Sequence, residues 1–200
     1  MDQVLKSQRT KQLILDESYK LFYEHGFKTT SIDKIMRTAS LTKGAFYHHF
    51  QNKKELGLTI ITQKLQNRIY DKMISPLYDQ GDASEIILKT FNERLNSFSL
   101  YEKQHGCSLN NFINEIGDYE TAYQSAMKRI VDEWKAGLIH VLERGKSEKT
   151  LRDELSSAAI AVYIISAFEG IRGIRKLYND DTIIEEYKLA FINYIQQLKK

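Results

Sequence analysis

Three stretches of this 200-residue chain hold side chains whose types and spacing could do chemistry. Tyr47-His48-His49 sets a phenol beside two imidazoles, the groups of a metal site or a general base. Cys107, the only thiol, has His105 nearby and His140 farther along, the partners a thiol nucleophile needs. Thr42-Lys43-Gly44-Ala45 offers a hydroxyl, an ammonium, bare backbone and a methyl in succession. At the start of a helix such groups suit the base edges of a DNA major groove. The ammonium donates to guanine O6 or N7, and the methyl touches a thymine methyl.

The first two chemistries lack their companions. Neighbours on a helix point about 100° apart, and no Asp, Glu or Cys lies four residues from Tyr47, His48 or His49. No metal ligand and no catalytic residue is assigned there. No Gly-rich phosphate loop, paired-carboxylate motif or triad signature accompanies Cys107, so a thiol enzyme is the weakest reading. No cofactor is expected.

The elements that must position the third group are helices. A single proline, Pro76, and ten glycines are too few for the corners of a sandwich or barrel. Hydrophobic residues make up 42% and charged residues 28%, which excludes a disordered or membrane-filling chain. One cysteine excludes an internal disulfide framework. A first helix is expected over about 7–25, with Ile14, Leu21 and Phe22 on one face and Gly26 as its left-handed stop. Thr30-Ser31-Ile32-Asp33 reads as a cap, opening a helix to about Ala39 that carries Ile32, Ile35 and Met36 inward. Only Ser40 and Leu41 separate it from a second cap, Thr42, and a helix to His48 or His49. Two short helices so joined are a helix-turn-helix. Phe46 and Phe50, four apart, face back onto the first helix.

Asn52 with Glu55 caps a long helix to about Ser75, which Pro76 ends. Further helices are expected from Asp82-Ala83-Ser84-Glu85 to about 101, a short one over 107–116, and one over 119–144 closed by Gly145. The last two cover about 155–177 and 181–198. The expectation is an all-α chain of about nine helices: a three-helix head, 1–52, and a helical body, 53–200.

Charge divides the chain the same way. Residues 1–54 hold ten basic and five acidic side chains, and 55–200 hold nineteen and twenty-one, so the net +3 is a +5 head on a −2 body. A basic head suits a polyanion. Tyr47, His48 and Lys53 add phosphate donors at the edge of the base-reading surface, and Thr30 or Ser31 can do so at the start of the preceding helix. Gly44 lets backbone approach DNA closely, at a helix-propensity cost of ~1 kcal/mol.

Residues 9–56 resemble the DNA-binding head of the TetR family of bacterial transcriptional regulators. The likeness rests on Phe22, Gly26-Phe27, Thr30, Ile32, Ile35, Ala39, the run Thr42-Lys43-Gly44-Ala45-Phe46-Tyr47-His48-His49-Phe50, Lys53 and Leu56. Ser40 departs from it, standing where the family often has a turn glycine; a left-handed Ser40 would carry a strain of ~1 kcal/mol. The resemblance implies a homodimer reading a pseudo-palindromic double-stranded operator, mostly as a repressor that a small molecule releases. It also implies dimerisation through the last two long helices.

The body agrees in pattern. Ile160, Ile164, Phe168 and Ile171, with Ala161, Gly170 and Gly173, and then Ile184, Tyr187, Phe191, Tyr194, Ile195 and Leu198, carry more apolar surface than one buried stripe needs. The effector is unidentified. Phe91, Phe98, Phe112, Trp134 and Tyr163 are its candidate aromatic contacts, and Cys107, Asn110 and Asn111 its polar ones. The alternative is an oxidant- or electrophile-sensing regulator acting through Cys107, because a thiol near a helix N-terminus can be reactive. The charged N-terminus has no apolar signal core, and the longest uncharged run, 155–168, is 14 residues against the ~20 a span needs. A cytoplasmic protein without a membrane partner is expected.

Overall fold

The computed structural model describes residues 2–200. The elements are α1 (Asp2–His25), α2 (Ile32–Thr38), α3 (Lys43–His49) and α4 (Lys53–Thr59), then a π-helical stretch (Ile60–Leu65), α5 (Gln66–Ile69), a second π-helical stretch (Tyr70–Ile74) and a 3₁₀ turn (Ser75–Tyr78). They continue as α6 (Ala83–Asn96), α7 (Leu100–His105), α8 (Ser108–Ile116), α9 (Thr121–Ser147), α10 (Ser157–Ile174), a 3₁₀ turn (Arg175–Leu177) and α11 (Thr182–Gln197). Among the described residues the only β pairing is an isolated bridge of Leu151 with Lys199. The chain is all-α, with a helix-turn-helix followed by a helical body.

The run after Asn52 shows why its geometry changes. Ile61, Leu65, Ile69 and Met73 repeat every four residues and all are buried. At 3.6 residues per turn each step of four drifts by about 40°, so the stripe would leave the core within a few turns. Wider π turns alternating with α turns raise the average and keep the stripe on one side. Pro76 sits at the start of the 3₁₀ turn that ends the run.

Packing groups the residues up to Asn67 with Ser108–Lys128, and Arg68–Cys107 with Arg129–Lys200. In the first unit Ile14, Ile35, Phe46, Phe50, Leu56 and Ile60 form the core. In the second, Phe91 stands 5.1 Å from Phe168, 5.3 Å from Phe191 and 6.1 Å from Trp134, ring centre to ring centre.

Gly145 does not close its helix, as its place in the sequence suggested. It lies inside α9, and the left-handed residue that follows the helix is Lys149 (φ 62°). A Cβ on Gly145 would stand 2.7 Å from Ala83 Cβ and 2.7 Å from Leu151 Cδ1, so close packing of α9 is what requires a glycine there.

The stretch Ser157–Leu177 is long and apolar enough to cross a membrane by length and composition, with mean hydropathy 1.4. Its inward side holds Ile160, Ile164 and Phe168 together with buried Arg172 and Arg175. Its outward side leaves Val162, Tyr163, Ile174 and Leu177 exposed.

Candidate nucleic-acid interface

Each helix of the helix-turn-helix is started by a side chain. The Lys34 amide donates to Ser31 Oγ at 3.1 Å and the Ala45 amide to Thr42 Oγ1 at 3.3 Å. Asn52 caps α4, with the Glu55 amide donating to Asn52 Oδ1 at 2.9 Å, while the Glu55 carboxylate accepts from the preceding Gln51 amide at 2.7 Å. Between α2 and α3, Ser40 is left-handed (φ 55°), and the Leu41 amide reaches back to the Met36 carbonyl at 2.8 Å. This is a helix stop of the kind glycine usually makes, with Ser40 taking the conformation its position demanded.

Phe46 and Phe50 are buried, so the opposite side of α3 presents Lys43, Gly44, Tyr47 and His48 in one exposed stripe. A Cβ on Gly44 would meet nothing closer than Thr42 Oγ1 at 3.7 Å. Nothing inside the protein asks for a glycine there. Lys43 Nζ lies 2.7 Å from Asp33 Oδ1, and the hydrogen bond and charge of Asp33 hold the ammonium above the ordinary lysine range. His49 is pushed the other way by partial burial, helped by His48 and Lys11. Among the described residues no three His, Cys, Asp or Glu side chains converge as a metal site.

Two expected DNA contacts are placed elsewhere. Thr30 is not the cap. It is fully buried, and its hydroxyl donates to the Gly26 carbonyl at 2.7 Å, so its side chain cannot reach a phosphate. The Lys53 ammonium turns inward, 4.4 Å from the Phe27 ring centre, and burial lowers its pKa against the pull of Glu115. An aromatic face rather than open solvent holds it.

The residue that sequence reading missed is Glu115 on α8. Its two carboxylate oxygens accept from the Phe27 and Lys28 amides, each at 2.7 Å. Gly26 (φ +88°) gives it room, since a Cβ there would stand 2.9 Å from Glu115 Oε1. Tyr123 of α9 donates to the Lys54 carbonyl at 3.0 Å, and Glu120 pairs with Lys54 at 2.7 Å. The partners are 65 to 90 residues apart in sequence, so no local pattern announces them.

Of the candidate effector contacts, Asn110, Asn111 and Phe112 lie in the first unit and the others in the second. Phe91 and Trp134 are core, and Phe98 is sandwiched with the Arg94 and Arg172 guanidinium carbons 4.3 and 4.4 Å from its ring centre. Phe112 packs on Phe22 at 6.3 Å in the first unit. Asn110 accepts from Asn114 at 3.2 Å, Asn111 is half-buried, and Tyr163 is exposed against Tyr194 at 4.6 Å. Cys107 is buried at the carboxyl of Glu169, whose pKa burial pushes up while Arg172 and the thiol hold it back. His105 faces the Tyr101 carbonyl at 2.8 Å.

The family model of bacterial regulatory proteins of the tetR family matches residues 14–59, and the tetracyclin repressor-like C-terminal domain matches 85–191. The chain is similar to the HTH-type transcriptional repressor NemR of Escherichia coli (strain K12), 25% identical over 144 residues, 71% of each chain. Its fold is like that of the reduced form of Escherichia coli NemR (TM-score 0.80, 21% identity, 96% of this chain and 97% of that one). It is also like that of a TetR transcriptional regulator from Chloroflexus aurantiacus (TM-score 0.85, 23% identity, 97% and 98%).

Replacing Glu115 by Ala strips both amides of a charged acceptor and should cost about 2 kcal/mol. A lowered denaturant midpoint with faster amide exchange at Phe27 and Lys28 is the expected result. An unchanged midpoint and unchanged exchange would contradict it.

Proposed function

This chain belongs to the TetR family of bacterial regulatory proteins, and from that premise we propose that it is a ligand-responsive repressor that binds a palindromic operator as a dimer. TetR-family regulators bind operator DNA and act as dimers, and the relatives of this chain are transcriptional regulators rather than enzymes. In this reading residues 1–52 are the DNA-binding segment and 53–200 the ligand-binding and dimerisation segment of a cytoplasmic protein.

One observation carries the DNA reading: the exposed stripe Lys43, Gly44, Tyr47 and His48 stands over buried Phe46 and Phe50, with a glycine that internal packing does not require. Thr42, Lys43 and Ala45 would meet base edges, with Gly44 letting the backbone come close. Tyr47 and His48 would meet phosphate and sugar, joined by Ser31 at the start of α2. Two such heads must sit one helical turn, ~34–36 Å, apart to fill both half-sites. An effector in the body releases the protein by preferring a conformation in which that spacing fails. A swing from 1:99 to 99:1 needs a preference of roughly 10⁴-fold.

The dimer would form through 155–177 and 181–198. Tyr163, Ala167, Gly170, Ile174, Tyr187 and Tyr194 line an apolar groove there, and Leu177 and Leu189 stay exposed in the single chain. A second copy gives that surface a use without a membrane.

A second reading, an oxidant- or electrophile-sensing regulator, is favoured by the place of Cys107. It immediately precedes α8, the helix that carries Glu115, and the similar NemR structure is described as a reduced form. Oxidation would add polar bulk to a buried site already shared with a carboxylate.

Genomic fragments selected on the purified protein define the operator. On it, Lys43→Ala should relax base preference at one position at a cost of about 1–3 kcal/mol, and Tyr47→Phe should weaken all duplexes alike. Unchanged binding by both would remove α3 as the reader. Sedimentation should find the wild type dimeric and Ile174→Glu monomeric, whereas a dimeric variant would place the interface elsewhere. If Cys107→Ser still leaves the operator on treatment with peroxide or N-ethylmaleimide, the thiol reading fails.

A further inference from the structure

Between Thr29 and Lys54 the chain carries five basic side chains and one carboxylate, Asp33. A surface that meets a polyanion gains nothing from a bare carboxylate, yet this one is exposed and fixed on the first turn of α2 by the Ser31 cap. Its partner is the ammonium at the start of α3, at 2.7 Å, with the Asp33 and Lys43 side chains 54% and 62% exposed. The two groups face solvent together as a donor beside an acceptor, with no net charge.

We infer that Asp33 is a specificity-determining residue, holding the Lys43 ammonium away from phosphates and docking with it as one unit on a G·C base pair. The inference rests on the DNA-binding reading above. On the major-groove edge of a G·C pair the guanine O6 acceptor and the cytosine N4 amino donor are hydrogen-bonded to each other, so they lie about 2.9 Å apart. A donor and an acceptor 2.7 Å apart match that spacing with the opposite polarity. Lys43 then donates to O6 and N7 while Asp33 accepts from N4, and the pair need not separate to bind.

Elsewhere the same pair adds little. On an arbitrary duplex Lys43 can reach a phosphate only by uncovering Asp33 beside the DNA backbone, so one attraction is traded for one repulsion. The neutral pair releases no counterion, and it contributes affinity only where a base pair satisfies both members. Lys34 and Arg37 share α2 with Asp33 but belong to no such pair in the contacts around Lys43.

The test uses the full-length dimer, the operator selected from genomic fragments, and a random-sequence duplex of equal length, titrated between 50 and 250 mM KCl. Asp33→Asn keeps the shape and removes the charge. Random-duplex affinity should rise roughly five- to tenfold near 0.1 M salt, and the slope of log K against log salt should steepen by about 0.9 per head, because Lys43 is released to one phosphate. Operator affinity should not rise with it, so the specificity ratio falls by at least that factor. In the Lys43→Gln background Asp33→Asn removes an uncovered carboxylate, so operator and random-duplex affinity should rise alike and the specificity ratio should stay unchanged. If the ratio still falls there, Asp33 discriminates without Lys43 and the inference is overturned. If the single variant leaves slope and ratio at wild-type values while the wild type binds its operator selectively, the inference fails and the DNA reading stands. A wild type that selects no sequence brings down the DNA reading itself.

Discussion

The helix-turn-helix of this chain depends on one carboxylate that does not belong to it. In the turn between α1 and α2 the Lys28 and Phe27 amides are both taken by Glu115, at 2.7 Å each, from 87 and 88 residues away. A side chain at position 26 would crowd that carboxylate, and the backbone there is left-handed. Gly26 therefore answers to a distant acceptor as well as to the end of α1. Around the same contact Lys53 lies over Phe27, Phe27 meets Tyr123 edge to face at 5.7 Å, and Tyr123 closes on the Lys54 carbonyl. The DNA-facing helices are thus set on a platform of which α8 and the first turns of α9 form part.

The dependence divides what the sequence makes legible from what it does not. Thr42, Asn52 with Glu55, and the left-handed Ser40 act within five residues, so pattern alone identifies them. Phe46 and Phe50 follow from helical spacing, and the all-α class follows from scarce proline. Thr30 and Ser31 show where local reading stops. Both are cap-forming types, and only the packing of Thr30 against the Gly26 and Leu21 carbonyls shows that Ser31 is the cap. Lys53 reads as a phosphate donor because sequence cannot show an aromatic face within reach of its ammonium. The repeat of four in Ile61, Leu65, Ile69 and Met73 was there to be read as a wider helix, while Gly145 looked like a stop because Ala83 and Leu151 are remote in sequence. The aromatic candidates for an effector show a simpler limit. Large aromatics fill a core as readily as they line a cavity, and composition does not separate the two.

The same limit applies to charge. The second unit buries ionic groups that amino-acid type would place at the surface. Arg94 pairs with Glu102 at 2.8 Å, Arg175 with Asp181 at 2.9 Å, and Arg172 donates to the Gly106 carbonyl at 2.9 Å. Burial opposes the charge on Glu102, yet the Ser99 amide with Arg94 and Arg68 holds its pKa below the usual range. Such pairs return little net stability once desolvation is counted, but removing one member strands the other. They tie α6, α7, α10 and the turn before α11 to one arrangement.

Helical glycines separate surfaces that answer to the protein itself from surfaces that answer to something outside it. A glycine costs about 1 kcal/mol against alanine in a helix, so each needs a reason. At Gly145 the reason is internal, because neighbouring carbons stand 2.7 Å from where a Cβ would be. At Gly44 nothing lies nearer than 3.7 Å, and at Gly170 and Gly173 nothing lies within 4 Å. The single chain gives these three no reason to be small. Gly44 lies on the exposed stripe of α3, while Gly170 and Gly173 lie on α10, where the apolar groove opens. In the proposed function a duplex approaching α3 and a second copy approaching α10 would each supply the close neighbour that is missing. The two faces assigned to other molecules on grounds of charge and apolar exposure are therefore also the faces where packing within the chain leaves a glycine unexplained.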